Sequence, residues 1–537
     1  MSRRPRVLTA LTRGVQLAGL SADLMRARTK GADAAVRQRI IERLGAMHGL
    51  PQKIGQVISL GELDADEPTD VAYSALTESG AALPIEEIQP LVEEALGASL
   101  AERFRFFSPV GISASIGQVH RATLLDGRSV AVKVQYPGIG DAMGLDLGAL
   151  EWLTIPFGGF GRGFDMAAYR GEVGAMLASE LDYAREGATL RRLERLPERI
   201  PGLELPVLIP ELSTPTVLTM SWVAGDAFPE TRQWSAAQRA DTLRILAQFF
   251  LESVFQARLL HADPHAGNYR FRLDNGAVRV GVIDFGCAKA LPIDFTDALA
   301  RLFRLAMTGD TTADSYLACY IDLGFRAELM EPMADRLGAF TALMLEPWLS
   351  SEPFNFDAWQ LGPRMAEVLG EFRWNLRVSG PANAIFVVRA WQGLLSYARA
   401  LHAPVALRPM LDAMLGDLLG DLLGDDAPLM TTATSPVRAA VRTSVMTRDM
   451  IDPRTHAIAQ HLKIRVSERG TPRVTLTFPG RCADTLEELM PDDLRARLVR
   501  EGTNLAGIVG MSAKRGHVPG VLFESHHEQQ HVRVWLE

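Results

Sequence analysis

The 537-residue sequence is poor in cysteine and in long apolar runs. Cys287, Cys319 and Cys482 are isolated, and no C-x-x-C pair is present. This usage fits a reducing compartment and offers no cysteine-based zinc site. No apolar run reaches the ~18 residues of a membrane-spanning helix. A formal net charge of −8 argues against a general nucleic-acid binder, because such a protein presents a basic surface.

The sequence does contain two acids and an amide at a spacing that matches a known motif. Asp263 and Asn268 lie in the stretch from His261 to Asn268, and Asp284 opens an Asp-Phe-Gly turn. Phosphoryl transfer uses such a set, because a carboxylate orients the attacking group and oxygen ligands hold Mg²⁺ on the phosphates. The pattern is typical of the kinase catalytic loop H-R-D-x-x-x-x-N with D-F-G downstream, although alanine replaces the arginine.

Upstream, the sequence predicts a β-hairpin like the one that covers the nucleotide phosphates in kinases. Residues 112–122 and 129–135 alternate as strands around a turn at Asp126-Gly127. Lys133 matches the lysine of V-A-I-K, which supplies a point charge to the phosphates. A buried lysine needs a carboxylate partner, and Glu180 on a predicted helix is the candidate.

The loop of this hairpin contains little glycine. Gly117 matches the last glycine of G-x-G-x-x-G-x-V, but the two earlier glycine positions hold Ile112 and Ala114. Their Cβ atoms restrict the backbone, so the predicted phosphate loop is stiffer than a glycine-rich one. The residues expected to line the nucleotide here are Ala114, Ser115, Ile116, Gly117, Gln118 and Val119. Met220 is the candidate for the back of the adenine pocket, with an ordinary core methionine as the alternative.

The segment on which protein kinases dock peptides is missing after the Asp-Phe-Gly turn. No A-P-E motif follows, and another helix is predicted almost at once, from Pro292 and Asp294. This absence weighs against a protein substrate.

In combination, these motifs resemble the UbiB family of atypical kinase-like proteins, also called the AarF/UbiB type, over residues 35–400. The motifs are Lys53-x-Gly55-Gln56, the loop from Ala114 to Val119, V-A-V-K-V-Q around Lys133, Glu180-x-Asp182, the stretch from His261 to Asn268, and Asp284-Phe285-Gly286. The resemblance implies a bilobal protein-kinase-like fold of the α+β class. It also implies binding of Mg-ATP, ATPase activity, and a role with ubiquinone or related isoprenoid lipids.

The same resemblance implies a role for each site residue. Asp263 orients the attacking water or hydroxyl, and Asn268 and Asp284 hold Mg²⁺. Lys133 contacts the phosphates and pairs with Glu180 or its neighbourhood. Lys53, in a helical extension that covers the active site, is expected to reach the Glu180-x-Asp182 pair. The sequence leaves open whether Lys133 or Lys53 pairs with Glu180.

Changes in periodicity and composition predict five regions along the chain. These are an N-terminal helical extension (1–100), a kinase-like N-lobe (101–225), a helical C-lobe with the catalytic loop (226–425), a linker (426–455) and a small α+β module of ββααββ order (456–537). In the last region, strands are expected over 462–468, 473–478, 520–525 and 531–536. A helix is expected over 487–498, with a restart at Pro491, and a second short helix over 505–509.

Three histidines in this last region, His526, His527 and His531, suggest a metal site. Their spacing is poor for one site on a strand or turn, and no cysteine joins them. The sequence therefore favours a solvated hairpin end.

The leading functional hypothesis is a Mg-dependent ATPase or a kinase for a small or lipid-related acceptor, with ATP and Mg²⁺ as cofactors. One alternative is a pseudokinase-like module that binds isoprenoid lipids or lipid-synthesis enzymes under nucleotide control. A true protein kinase is the third. A cytoplasmic location is expected. The basic first forty residues suit either peripheral contact with the inner face of a membrane or a plain solvated helix.

Overall fold

The computed structural model of the protein describes residues 82–114, 116–140, 178–310, 312–422, 458–490, 495, 498–500, 503–527 and 530–537. Lys53 and Ser115 lie outside these residues, as do the predicted linker and most of the predicted N-terminal extension. Among the described residues, no helix combines the length and the apolar character needed to cross a bilayer.

The first half of the described chain mixes helices and strands. The helices are α1 (Ile85–Leu96), α2 (Leu100–Arg103), α3 (Tyr183–Leu193), α4 (Leu196–Arg199) and α5 (Ala236–Phe255). The strands are β1 (Phe104–Ser113), β2 (Gly117–Leu124), β3 (Ser129–Gln135), β4 (Leu203–Glu204), β5 (Val217–Ser221), β6 (Leu259–His261), β7 (Tyr269–Asp274), β8 (Ala277–Val282) and β9 (Ala288–Ala290).

Helices dominate the second half until the C-terminal region. They are α6 (Ile293–Thr308), α7 (Ala313–Asp322), α8 (Ala327–Met330), α9 (Ala334–Leu349), α10 (Leu361–Leu369), α11 (Arg373–Ser379), α12 (Ala382–Leu401) and α13 (Arg408–Leu422). The C-terminal region holds β10 (His461–Glu468), β11 (Thr471–Pro479), α14 (Leu505–Lys514), β12 (Gly520–His527) and β13 (Gln530–Leu536).

An antiparallel sheet in the order β1-β2-β3-β5 contains the predicted hairpin. Successive side chains of a strand point to opposite faces, and β3 follows this rule closely. Its three valines, at positions 130, 132 and 134, are buried in one core with α1. Ala131 and Lys133 therefore face the other side, where Ala131 shares a core with Met220. The apolar packing of β3 thus fixes the direction in which Lys133 points.

The catalytic-loop segment lies between short strands and long helices. α5 begins at a capping box formed by Ser235 and Gln238, and it packs against β6, β8 and α12. β6 pairs with β9, and β7 pairs with β8, so the segment between β6 and β7 faces the turn between β8 and β9. The predicted helical region after Asp294 is confirmed, with Trp348, Trp359 and Trp391 in its core.

The C-terminal region forms one antiparallel sheet in the order β11-β10-β13-β12. All four predicted strands are confirmed, and the predicted second helix is confirmed as the longer α14. The first predicted helix was wrong at its start, because residues 486–490 form turns after a short 3₁₀ helix. Pro491 explains this, since a proline disfavours the α conformation in the residue before it.

This sheet packs against the C-lobe through buried polar groups. Asn375 on α11 is fully buried, donates to the carbonyls of Leu329 (2.9 Å) and Thr477 (2.5 Å), and accepts from the Thr477 N–H at 3.1 Å. Lys463 on β10 contacts the Glu371 carboxylate at 3.0 Å. These bonds satisfy backbone groups of both parts, so the sheet edge at β11 is joined to the helices.

Replacing Asn375 with alanine should therefore destabilise the protein. The change leaves two carbonyls and one N–H buried without a partner, and we expect a loss of about 3 kcal/mol in the free energy of unfolding. Urea denaturation measures this. Thr477→Val is the matched control, because Asn375 bonds to the backbone of that residue. Equal stability of the two variants would contradict the proposed role of Asn375.

Candidate active site

A buried lysine joins two carboxylates at the centre of the candidate site. The Nζ atom of Lys133 on β3 lies 2.5 Å from Oε1 of Glu186 and 3.3 Å from Oδ2 of Asp284. Lys133 and Glu186 are both buried, whereas the Asp284 side chain is 41% exposed. One cation therefore connects the N-lobe sheet, helix α3 and the Asp-Phe-Gly turn.

Glu186 is placed by the way α3 begins. The carboxylate of Asp182 caps the helix by accepting from the N–H groups of Ala184 and Arg185. This start sets the helical phase, and the buried stripe that results is Tyr183, Glu186, Gly187 and Leu190. The spacing is that of one helix face, so Glu186 points inward among apolar neighbours and meets Lys133.

The partner predicted for Lys133 needs correction from Glu180 to Glu186. Glu180 precedes the Asp182 cap, is also buried, and accepts a hydrogen bond from the Cys287 thiol at 2.6 Å. Glu180 thus lies beside the residue that follows the Asp-Phe-Gly turn. Sequence reasoning missed Glu186, although a lone glutamate on a buried helical stripe was a usable signal. The predicted Lys53 contact lies outside the described residues.

The pKa of Lys133 reflects this environment. Burial alone would lower the pKa of its ammonium group, but the nearby carboxylates of Asp284 and Glu186 outweigh burial and hold the pKa above the ordinary value. Lys133 is therefore a fixed positive charge at neutral pH.

The Asp-Phe-Gly turn is held from several sides. Oδ1 of Asp284 accepts from the N–H of Gly286 at 3.0 Å, and the N–H of Phe285 donates to Glu186 at 3.1 Å. A ring nitrogen of His261 lies 2.7 Å from the carbonyl oxygen of Asp284. Oδ2 of Asp284 is the oxygen that faces Lys133.

The catalytic loop places Asp263 and Asn268 side by side. The amide Nδ2 of Asn268 donates to Oδ2 of Asp263 at 3.0 Å and to its carbonyl oxygen at 3.1 Å. The N–H of Ile283 donates to the carbonyl of Asn268 at 2.9 Å, so the loop lies against the residue before Asp284. The structure thus brings Asp263, Asn268 and Asp284 into one site.

Helix α12 supports this loop through three residues spaced four apart. Nη2 of Arg389 donates to Oδ1 of Asp263 at 3.0 Å, and both residues are buried. Tyr397 donates its hydroxyl to the carbonyl of Pro264 at 2.9 Å. Between them, Gly393 lies so close to Pro264 that an added Cβ would be 2.2 Å from the proline ring. The sequence analysis missed all three, because nothing local links α12 to a loop so far upstream.

Comparison with known proteins agrees with this geometry. Residues 75–314 match the family model of the ABC1 atypical kinase-like domain. Over these residues the chain is similar to that domain. The resemblance drawn from the motifs is thereby confirmed, and so is the α+β, kinase-like fold class.

Several curated proteins are similar to this chain. The rat "Atypical kinase COQ8B, mitochondrial" is 26% identical over 376 residues, which cover 70% of this chain and 70% of the relative. The Caenorhabditis elegans "Atypical kinase coq-8, mitochondrial" is 27% identical over 374 residues, with coverage of 68% and 49%. An uncharacterised Synechocystis protein is 34% identical over 250 residues, with 43% of each chain covered. The match to this chain thus spans about half of the nematode relative's length.

Two solved structures give more distant matches. Rv3197 from Mycobacterium tuberculosis, in a complex with erythromycin, is 24% identical, covers 74% of this chain and 98% of that chain, and has a TM-score of 0.48. The Rio2 kinase of Chaetomium thermophilum, in an ADP/Mg²⁺-phosphoaspartate complex, is 14% identical, with coverage of 72% and 95% and a TM-score of 0.23.

In this kinase-like domain the predicted phosphate loop is closed by backbone contacts. The N–H of Ala114 donates to the carbonyl of Gly117 at 2.8 Å. A Cβ at Gly117 would lie 2.2 Å from the carbonyl oxygen of Val134, so only glycine fits there. Ile116 is buried, and Val119 pairs with Lys133 across the strands. Ser115 lies outside the described residues.

Gln118 occupies different surroundings from those predicted, whereas the adenine-pocket role of Met220 is untested. The side chain of Gln118 was expected to line the nucleotide, but it is fully buried and its amide bonds to both backbone groups of Leu83. It therefore anchors the chain before α1, which corrects the prediction. Met220 is buried on β5 beside Ala131 of β3, so its role in an adenine pocket stays a prediction.

The donor set of the candidate site fits Mg²⁺. Asp284 contributes a partly exposed carboxylate. The side-chain nitrogen of Asn268 donates to Asp263, so the side-chain oxygen of Asn268 is the atom that can bind the ion. Mg²⁺ favours one or two protein oxygens together with phosphates and water. Asn268 and Asp284 are thus the residues that would hold the ion.

Replacing Gly393 with alanine should disturb the catalytic loop. The new Cβ meets the Pro264 ring, and we expect a loss of about 1–3 kcal/mol in the free energy of unfolding. Gly416→Ala on α13 is the matched control. No atom lies within 4 Å of the added Cβ there, so the helix should gain about 0.5–1 kcal/mol. Thermal and urea unfolding compare the two, and changes of the same sign would refute the packing argument.

Proposed function

We propose that this chain binds Mg-ATP and transfers the γ-phosphoryl group to water or to a small acceptor, as a UbiB-type atypical kinase or ATPase. The observation that carries the proposal is the buried Lys133, held between Glu186 and Asp284. Burying an ammonium group is costly, and such a charge is kept where an anionic ligand uses it. Triphosphate oxygens beside Asp284 are that ligand.

Each residue of the site has a definite task in this proposal. Lys133 binds the phosphates, and Glu186 keeps it in place. Asn268 and Asp284 hold Mg²⁺, which neutralises charge on the phosphates when it is bound. Asp263 orients the attacking water or hydroxyl and is itself positioned by Arg389 and Asn268. Phosphoryl transfer depends mainly on such positioning and on charge stabilisation.

The acceptor we propose is small. Helix α6 begins at Ile293, shortly after Gly286, with only the short strand β9 between them. That leaves little chain for a peptide-docking segment after the Asp-Phe-Gly turn. Together with the family relationship, this supports a role in the biosynthesis or homeostasis of ubiquinone or another isoprenoid lipid. Peripheral membrane contact and isoprenoid lipids as partners belong to the same proposal.

Asp284→Asn should abolish Mg-dependent ATP turnover. The change removes the ligand charge that the site offers to Mg²⁺, and we expect turnover to fall by about 100-fold or more. Phosphate release at saturating Mg-ATP measures it. Asp294→Asn, at an exposed position in the first turn of α6, is the matched control. Wild-type turnover in Asp284→Asn would refute the proposed metal role.

Glu186→Gln should change the pH dependence of the same reaction. Removing this carboxylate leaves burial to lower the pKa of Lys133, opposed by Asp284 alone. Lys133 then loses its proton at a lower pH than in the wild type, so the alkaline limb of the rate profile moves to lower pH. Each unit of this shift corresponds to about 1.4 kcal/mol.

Glu194→Gln, at the exposed end of α3, is the matched control for this experiment. A profile that stays in place for Glu186→Gln, with only a uniform loss of rate, would show that Glu186 does not set the charge of Lys133.

A pseudokinase-like role as a nucleotide-gated binding module is the second candidate. It is favoured by the burial of Asp263, whose two carboxylate oxygens are engaged by Arg389 and by the amide of Asn268. Turnover of the wild type that collapses in Asp263→Ala would exclude this candidate. Nucleotide binding without turnover in either protein would favour it.

A further inference from the structure

We propose that Glu524, His526 and His531 form a second cation site, specific for a late first-row divalent ion, and that Zn²⁺ is the ion that occupies it. The three residues lie on the β12–β13 hairpin of the C-terminal sheet. The site is independent of the nucleotide site and of the function proposed above.

Strand register brings the three side chains together. His526 and His531 are directly opposite each other in the antiparallel pair, and Glu524 lies two residues before His526. Residues two apart on a strand share a face, so all three project from the same side of the sheet. The sequence analysis favoured a solvated hairpin end because the linear spacing was poor. The hairpin end is confirmed, but linear spacing underestimated how close the two histidines are, because pairing across the turn makes them neighbours.

The ligand atoms are already close to one another. One nitrogen from each histidine and one carboxylate oxygen lie within 4.8 Å of each other. Nε2 of His531 is 3.6 Å from Oε2 of Glu524, and the two imidazole rings are parallel, with centroids 4.1 Å apart. Ligands at about 2.0 Å from a tetrahedral zinc ion are roughly 3.3 Å from each other. Side-chain rotations that tilt the two stacked rings toward a shared ion would close the site.

A buried nitrogen supplies the second observation. Nε2 of His531 is inaccessible to solvent and has no hydrogen-bond partner within the described part of the chain. A buried polar atom without a partner carries a cost, and coordination of a cation removes it.

Arg533 positions the third ligand. Its Nε lies 3.2 Å from Oε1 of Glu524, which leaves the other oxygen, Oε2, on the side of His531. A ligand carboxylate is commonly held in this way by a neighbouring donor. The arginine charge lowers the affinity for a cation to some extent, but it also fixes the carboxylate.

The ligand types determine which ion binds. Two imidazole nitrogens and one carboxylate suit Zn²⁺, whereas Mg²⁺ and Ca²⁺ prefer oxygen ligands alone. Solvent can complete the coordination, because Glu524 and His526 are exposed. The Asn268 and Asp284 site offers only oxygens, so excess Mg²⁺ can fill that site without competing for the hairpin.

Calorimetric titration of the full chain with Zn²⁺ in excess Mg²⁺ tests the proposal. The wild type should bind one Zn²⁺ ion. The affinity for this ion should fall by about 10- to 100-fold or more in both His526→Gln and His531→Gln. His402→Asn is the matched control, because His402 makes a histidine-carboxylate contact with Asp357 at 3.0 Å on the kinase-like domain. This variant should retain the ion.

A second measurement guards against a variant that folds poorly. Zn²⁺ should raise the unfolding temperature of the wild type and of His402→Asn, but not that of His526→Gln. Because the His526 side chain is exposed, the unfolding temperature of His526→Gln in the presence of a chelator should match that of the wild type. Co²⁺ should give the visible absorption of a nitrogen-containing site in the wild type but not in His526→Gln. Equal Zn²⁺ affinity in His526→Gln, His531→Gln and the wild type, or no Zn²⁺ binding by the wild type, overturns the proposal.

Discussion

The charge of Lys133 is the constraint on which the site depends. An ammonium group buried on a strand needs carboxylates within contact distance, and two different parts of the chain deliver them. Glu186 comes from a helix of the N-lobe side, and Asp284 comes from a turn after the strands of the catalytic region. Because each carboxylate is also bonded to backbone N–H groups, moving any of these elements exposes or unpairs a charge.

A second buried ion pair does the same for the catalytic loop. Asp263 and Arg389 are 126 residues apart in sequence and both buried, so the loop and α12 are fixed to each other. Gly393 allows the close approach that this contact requires. The carboxylate of Asp263 is thus oriented before any substrate arrives. Such an arrangement suits a residue that orients the attacking group.

Much of this site could be predicted from sequence because most of its residues lie in short sequence motifs. The alternating strands around Lys133, and the spacing of Asp263, Asn268 and Asp284, are patterns of a few residues each. Which glutamate pairs with Lys133, Glu180 or Glu186, is not determined by such a short pattern. It depends on Asp182 ending one helical segment and capping the next, which sets which glutamate faces the lysine.

The other differences arise from tertiary contacts. Gln118 has the position of a phosphate-loop residue, but its amide bonds to the backbone of Leu83, 35 residues earlier. The sequence of α12 does not indicate a role for Arg389, because that role depends on its contact with the catalytic loop. His526 and His531 were judged by linear spacing, whereas their distance is set by strand register. Residues that act across elements are the ones that a single sequence does not reveal.

The C-terminal sheet also has an asymmetry that bears on its role. Its order, β11-β10-β13-β12, places the bonds from Asn375 at the β11 edge and the Glu524 and His526 pair at the opposite edge. The proposed cation site and the bonds from Asn375 are thus at opposite edges of the sheet. A cation bound there would stabilise the β12–β13 hairpin, and β13 is paired with β10. β10 in turn carries Lys463, which contacts Glu371 of the C-lobe, so the sheet is a continuous path of paired strands between the two.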